Sequence, residues 1–150
     1  MNLLPIPRSG EAACKTALSE APKSVILQTV QMYGRRGYVE PWIGYLTAEA
    51  KDWVGTCGFT SPPVGGIVEI AYFTFQGFEG RGIATGMAQR LIAIAEQNDP
   101  SVRIIARTLT EENASNHILK KLGFVFAGTV DHPEDGKIWE WRHEPHCKQV

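Results

Sequence analysis

The sequence predicts a mixed α/β domain whose sheet is mainly antiparallel and is interrupted once by a strand–glycine loop–helix unit. Three observations predict it. Residues 67–75, IVEIAYFTF, are dense in β-branched and aromatic side chains, the composition that packs best on a pleated surface. Residues 77–82 carry three glycines, Gly77, Gly80 and Gly82. Beyond them Ile83, Met87, Leu91 and Ala95 recur four residues apart, which places one apolar stripe along a helix.

The elements follow in order. The first twenty residues are mixed in character and end at Ala21-Pro22, an expected boundary. Val25, Ile26, Val30 and Tyr33 predict a helix over residues 23–34, stopped by Gly34-Arg35-Arg36-Gly37. Residues 41–47 and 53–60 read as two strands of a hairpin joined by the polar stretch 48–52. Ser61-Pro62-Pro63 and Gly65-Gly66 then turn the chain into the strand 67–75. A helix over 83–97 is stopped by Asn98-Asp99-Pro100, and 102–106 is a further strand. A short helix over 113–122 places Ile118, Leu119 and Leu122 on one side, with Lys120 and Lys121 near its negative end and Gly123 where a left-handed cap belongs. Residues 124–130 and 138–142 close the chain as a hairpin around Asp135-Gly136, with Trp139 and Trp141 on one face.

Size and charge narrow the function classes. At 150 residues the chain fits one domain spanning 1–150. Fifteen basic against 16 acidic residues give no electrostatic footprint for nucleic acid or a membrane surface. No apolar run reaches the ~18–20 residues of a membrane span. The start, MNLLPIPR, lacks a basic region and a continuous apolar region, so a secretory leader is not expected. Cys14, Cys57 and Cys147 are odd in number and widely spaced, which suits reduced thiols in a cytoplasmic protein. His143, His146 and Cys147 carry metal-ligand chemistry but fall in a polar C-terminal tail, so no metal is expected.

The glycine loop carries the chemistry. A strand that ends in glycines and opens into a helix aims main-chain N–H groups and the positive end of the helix dipole at one point, which favours an anion. A P-loop is excluded because no Lys-Ser or Lys-Thr follows Gly82. The dinucleotide fingerprint fails at Thr85, where its third glycine belongs. A pyrophosphate cradle of another kind and a plain tight turn remain.

Loop and short helix together resemble the GNAT superfamily of acyl-CoA-dependent N-acyltransferases, in particular the branch typified by ribosomal-protein N-terminal acetyltransferases. The family's [QR]xxGx[GA] loop is matched by Glu79-Gly80-Arg81-Gly82-Ile83-Ala84, with Glu79 departing from the usual Gln or Arg. Its N-x-S helix start and K-x-G-F end are matched by Asn113, Ser115, Lys121, Gly123 and Phe124. The order of elements fits from about Val25 to Trp141.

The resemblance implies a central sheet splayed at an acetyl-CoA site and direct acetyl transfer from that cosubstrate to an amine. It places the pantetheine arm along Tyr72, Phe73, Thr74 and Phe75, and the pyrophosphate on Gly80, Arg81, Gly82, Ile83, Ala84 and Thr85, with Asn113 nearby. Glu69 is the candidate base, with a sheet salt bridge as the competing role, and an N–H near Phe73 is the candidate oxyanion donor. The tyrosine that many members carry on the short helix is Leu119 here, so Ser115 is the candidate partner of the leaving sulfur; helix capping by Asn113 and Ser115 is the alternative. Tyr38, Glu40, Trp42 and His132 are the candidate acceptor-site residues. The implied partner is a small-molecule amine or a peptide N-terminus, and a homodimer is allowed. A non-catalytic acyl-CoA-binding module stands as the alternative function.

Overall fold

The computed structural model describes residues 1–10, 19–111, 113–134 and 136–144. Cys14, Asp135, His146 and Cys147 lie outside the described residues. Among the described residues, seven strands form one sheet in the order β1-β2-β3-β4-β5-β7-β6. They are β1 (Asn2–Pro5), β2 (Gly44–Glu49), β3 (Asp52–Phe59), β4 (Ile67–Thr74), β5 (Arg103–Leu109), β6 (Phe124–His132) and β7 (Gly136–His143). The helices are α1 (Glu20–Arg36), α2 (Ile83–Asn98) and α3 (Ala114–Lys121). Only β4 and β5 pair in parallel among these strands. The mixed, mainly antiparallel sheet is the predicted one.

The departures are local. The edge strand β1 is an addition: it is four residues long and pairs only with β2, too short to show a period. Pro22 lies inside the first turn of α1 rather than before it, where its missing N–H is one the helix leaves unbonded anyway. The strand expected from Pro41 begins at Gly44. Pro41 has no N–H to give a ladder, and Trp42 and Ile43 donate theirs to Val39 and Pro41 in a turn. At the other end of the chain His143 is not in a tail. It is the last residue of β7, opposite Phe124, with the two rings 5.0 Å apart.

Strand parity decides what faces what. A Cβ on Gly44 would fall 2.8 Å from Thr29 of α1, whereas one on Gly55 would fall 3.1 Å from Met87 of α2. Gly44 pairs with Gly58, three residues from Gly55 along β3, so α1 and α2 cover opposite faces of the sheet. The α2 face is sealed by Ile83, Met87, Ala88, Leu91 and Ala95 against Val68 and Ile70, all buried. The predicted helical stripe is the one that packs.

Candidate active site

The sheet opens between β4 and β5. The pairing of β4 with β5 covers only Ile67–Glu69 and Arg103–Ile105, although β4 continues to Thr74 and β5 to Leu109. On its other side β4 stays paired to β3 in one unbroken register. Thr60 N–H donates to Glu69 C=O and Phe75 N–H to Val54 C=O, so the odd residues of β4 turn their main-chain groups towards β3. The even ones, Tyr72 and Thr74, turn theirs into the opening. Phe73 N–H therefore points away from the gap, and the donors sequence reasoning placed near Phe73 belong to its two neighbours.

Side chains divide the same way. Thr74 pairs with Gly55, so the even residues of β4 share the α2 face. The Tyr72 side chain lies beside that of Ser115 of α3. Burial pushes the Tyr72 hydroxyl up to about 12, and the neighbouring Ser115 hydroxyl lowers it only in part; the group stays protonated and able to donate. Asn113 caps α3: its side chain accepts from Asn116 N–H, and the Asn116 side chain accepts from Asn113 N–H. Ser115 is thus released from the capping role that sequence left open for both. Asn116, fully buried, donates to the Thr108 hydroxyl, which also accepts from the Trp141 indole at 3.0 Å. This network fixes α3 on the sheet. Neither Asn116 nor Thr108 was singled out in the sequence, although Asn116 stands three residues after a capping Asn, where a reciprocal cap is expected.

Glu69, Ala71 and Phe73 occupy the opposite, α1 face. Glu69 pairs with Arg107 at 3.5 Å and lies 3.4 Å from the Thr60 hydroxyl. Arg107 also holds Glu140 at 3.3 Å. Burial raises the Glu69 carboxyl above its ordinary value, and Arg107 offsets part of that rise. Glu69 is therefore salt-bridged and, at the same time, a carboxyl whose affinity for a proton is raised by burial. Arg107 was missed because the strand expected to end at Ala106 runs three residues further, to Leu109. His132 lines the same hollow as Glu69 and Arg107. The other acceptor candidates do not: Trp42 is buried edge-on against Phe59, and Tyr38 donates to Glu40 at 3.0 Å.

At the end of β4 the glycine loop enters α2. Gly77, Gly80 and Gly82 have φ of 96°, 78° and 77°, and a Cβ on any of them would meet no atom within 4 Å. They are required for the left-handed backbone and leave the space beside the loop open. The first intrahelical bond of α2 runs from Gly86 N–H to Gly82 C=O, so the N–H groups of Ile83, Ala84 and Thr85 precede it. No acidic residue stands in the first turn of α2. Glu79, the departure from the loop pattern, turns its carboxylate back onto Gly77 N–H at 2.8 Å, and Arg81 lies over the Phe78 ring. The donor set fits a pyrophosphate.

A family model described as an acetyltransferase (GNAT) domain matches residues 11–125. No curated protein matches the sequence. Solved structures share the fold. One is RimL, a ribosomal L7/L12 alpha-N-protein acetyltransferase in complex with coenzyme A, at 18% identity and a TM-score of 0.64, covering 82% of this chain and 71% of that one. Another is a putative GnaT-family acetyltransferase from Bordetella pertussis, at 17% identity and a TM-score of 0.65, covering 95% and 94%. A third is a chimera of the spermidine N-acetyltransferase SpeG from Vibrio cholerae and hSSAT, at 12% identity and a TM-score of 0.66, covering 95% of each chain.

Proposed function

Since the chain belongs to the GNAT acetyltransferase family, we infer that it is an N-acetyltransferase, acting as one domain over residues 1–150. In this reading an acetyl group moves from acetyl-CoA to a primary amine by direct attack. The observation that carries it is the gap between β4 and β5, which has a tuned carboxylate on one face and a hydroxyl pair on the other.

Acetyl-CoA, when bound, supplies the acyl carbon that the amine attacks and the sulfur that departs. The N–H groups of Gly80–Thr85 hold its pyrophosphate, with the dipole of the 16-residue α2 behind them. Asn113 positions α3 through its cap and stands at the coenzyme end of that helix in this reading. The main-chain groups of Tyr72 and Thr74 take the pantetheine amides as an added strand would, and one of these N–H groups supports the charge that develops on the carbonyl oxygen. Phe73 and Phe75 keep their own N–H groups on β3.

Glu69 removes a proton from the incoming amine, which must be neutral to attack although free lysine-type amines titrate near ~10. A carboxyl raised by burial holds that proton better than an ordinary one. On the opposite face the Ser115–Tyr72 pair donates to the leaving sulfur. Tyr72 lies on β4 rather than on α3, so it puts a phenol beside Ser115 although Leu119 occupies the helix position of the family tyrosine. We place it in the cytoplasm, a setting that suits its odd, widely spaced cysteines.

The test is thiol release from acetyl-CoA in the presence of primary amines. Ser115→Ala and Tyr72→Phe are each expected to lower kcat by about 10²-fold while leaving the KM for acetyl-CoA near its starting value. Coenzyme A binding without turnover on any amine would instead identify an acyl-CoA-binding module.

A further inference from the structure

On the α1 face the sheet and helix enclose a cleft of about 190 Å³. Its walls are Thr29 and Met32 of α1, Thr56 and Thr60 of β3 and its following turn, and Ala71 and Phe73 of β4. None of the described residues lining it carries a charge. Its floor lacks side chains because Gly44 and Gly58 face each other there. A Cβ on Gly58 would come within 2.7 Å of the main chain of Ile43 and Gly44. Phe73 leaves 62% of its surface exposed, an aromatic wall that, among the described residues, meets only the edge of the Phe75 ring.

The cleft adjoins the proton acceptor. Ala71 and Phe73 share the face of β4 that carries Glu69, and the Thr60 hydroxyl reaches from the cleft wall to the Glu69 carboxylate. Glu69 is matched by Arg107, which also holds Glu140. Among the described residues a second ammonium on the substrate would meet no carboxylate in the cleft, and the neighbouring Glu69 is already matched by Arg107. Desolvating that ammonium without a partner is unfavourable. An apolar group would instead gain contact with Met32, Ala71 and Phe73. The volume admits one ring or one branched side chain, since a cavity of roughly 150 Å³ accepts benzene.

Resting on the acetyltransferase reading above, we propose that the acceptor is a primary amine whose substituent is uncharged and apolar. That substituent lies between Met32 and Phe73, with the amine directed towards Glu69. Two sources present this chemistry, a free alkyl or aralkyl amine and a peptide N-terminus with an apolar first side chain.

The experiment measures thiol release from acetyl-CoA by the intact chain on matched acceptors. Pentylamine and 1,5-diaminopentane differ only in a terminal ammonium; peptides beginning with Leu or with Lys form the second pair. The expected kcat/KM is at least about tenfold higher for the apolar member of a pair, and the pair with the higher rates identifies the source. Met32→Glu is expected to shift the ratio by about tenfold towards the dication. Met32→Ala is expected to lower kcat/KM on pentylamine without changing the KM for acetyl-CoA. Faster turnover of the dication and the Lys peptide by the unmodified protein would overturn the acceptor class and leave the acetyltransferase reading standing. So would ratios unmoved by both Met32 variants. Turnover of no amine, with coenzyme A bound, would overturn both.

Discussion

Glu69 is the residue on which charge and burial disagree most productively. Its side chain keeps 20% of its surface and its nearest cation is 3.5 Å away, yet its carboxyl is raised because desolvation outweighs Arg107, Thr60 and the more distant Arg36 and His132. A raised folded-state value favours the protonated form. The carboxyl's contribution to stability is therefore present below the unfolded value of ~4.3 and lost as pH climbs through the folded one. Glu69→Gln removes the charge and keeps the shape. Thermal melts are expected to show that variant more stable than the parent at pH 7–8, with the advantage shrinking as pH falls towards 4. Activity is expected to move the other way, falling by about 10²-fold at neutral pH. A variant less stable than the parent at pH 8 would show that the Arg107 pair outweighs the desolvation of the carboxylate.

Two elements each depend on an identifiable device besides their apolar packing. Helix α1 exposes most of its length and is tied to the sheet by Tyr33, whose hydroxyl accepts from Gly44 N–H at 2.9 Å and donates to Ile6 C=O at 2.8 Å. Removing it leaves a buried donor and a buried acceptor unmatched. Tyr33→Phe is expected to cost about 1–3 kcal/mol in denaturant unfolding and to loosen the α1 wall of the cleft, raising the acceptor KM. Helix α2 depends on Gly82, its N-cap, at φ 77°. No atom obstructs a Cβ there, so Gly82→Ala carries backbone strain alone, about 1–2 kcal/mol. Relief of that strain would turn the loop amides, and the KM for acetyl-CoA is expected to rise. Both devices were half visible beforehand: Gly82 was picked out by its place in the loop, whereas Tyr33 appeared only as one apolar position of a helix.

Across the whole molecule the β4–β5 opening joins two half-sites that belong to opposite faces of one sheet. Filling it with coenzyme A supplies partners to the main-chain groups of Tyr72 and Thr74 and to the amides of the glycine loop. At a hundredfold excess over Kd, binding to the folded state alone contributes about 2.7 kcal/mol, and the melting temperature is expected to rise by about 5 °C or more. An unchanged melt at millimolar coenzyme A would leave the cradle without a ligand. The sequence by itself determined the helical stripe from Ile83 to Ala95, the strand that opens at Ile67 and the glycine loop between them, and it offered a cap at Asn113 as one of two roles, because each is written in spacing or residue chemistry within a few turns of chain. Only the tertiary structure decided that Tyr72 meets Ser115, that Arg107 restrains Glu69, that Trp42 belongs to the core and that His143 ends a strand. Those outcomes depend on which strand lies beside which and on the parity that assigns each side chain to a face. Neighbours brought together from distant stretches of chain leave no local pattern to read.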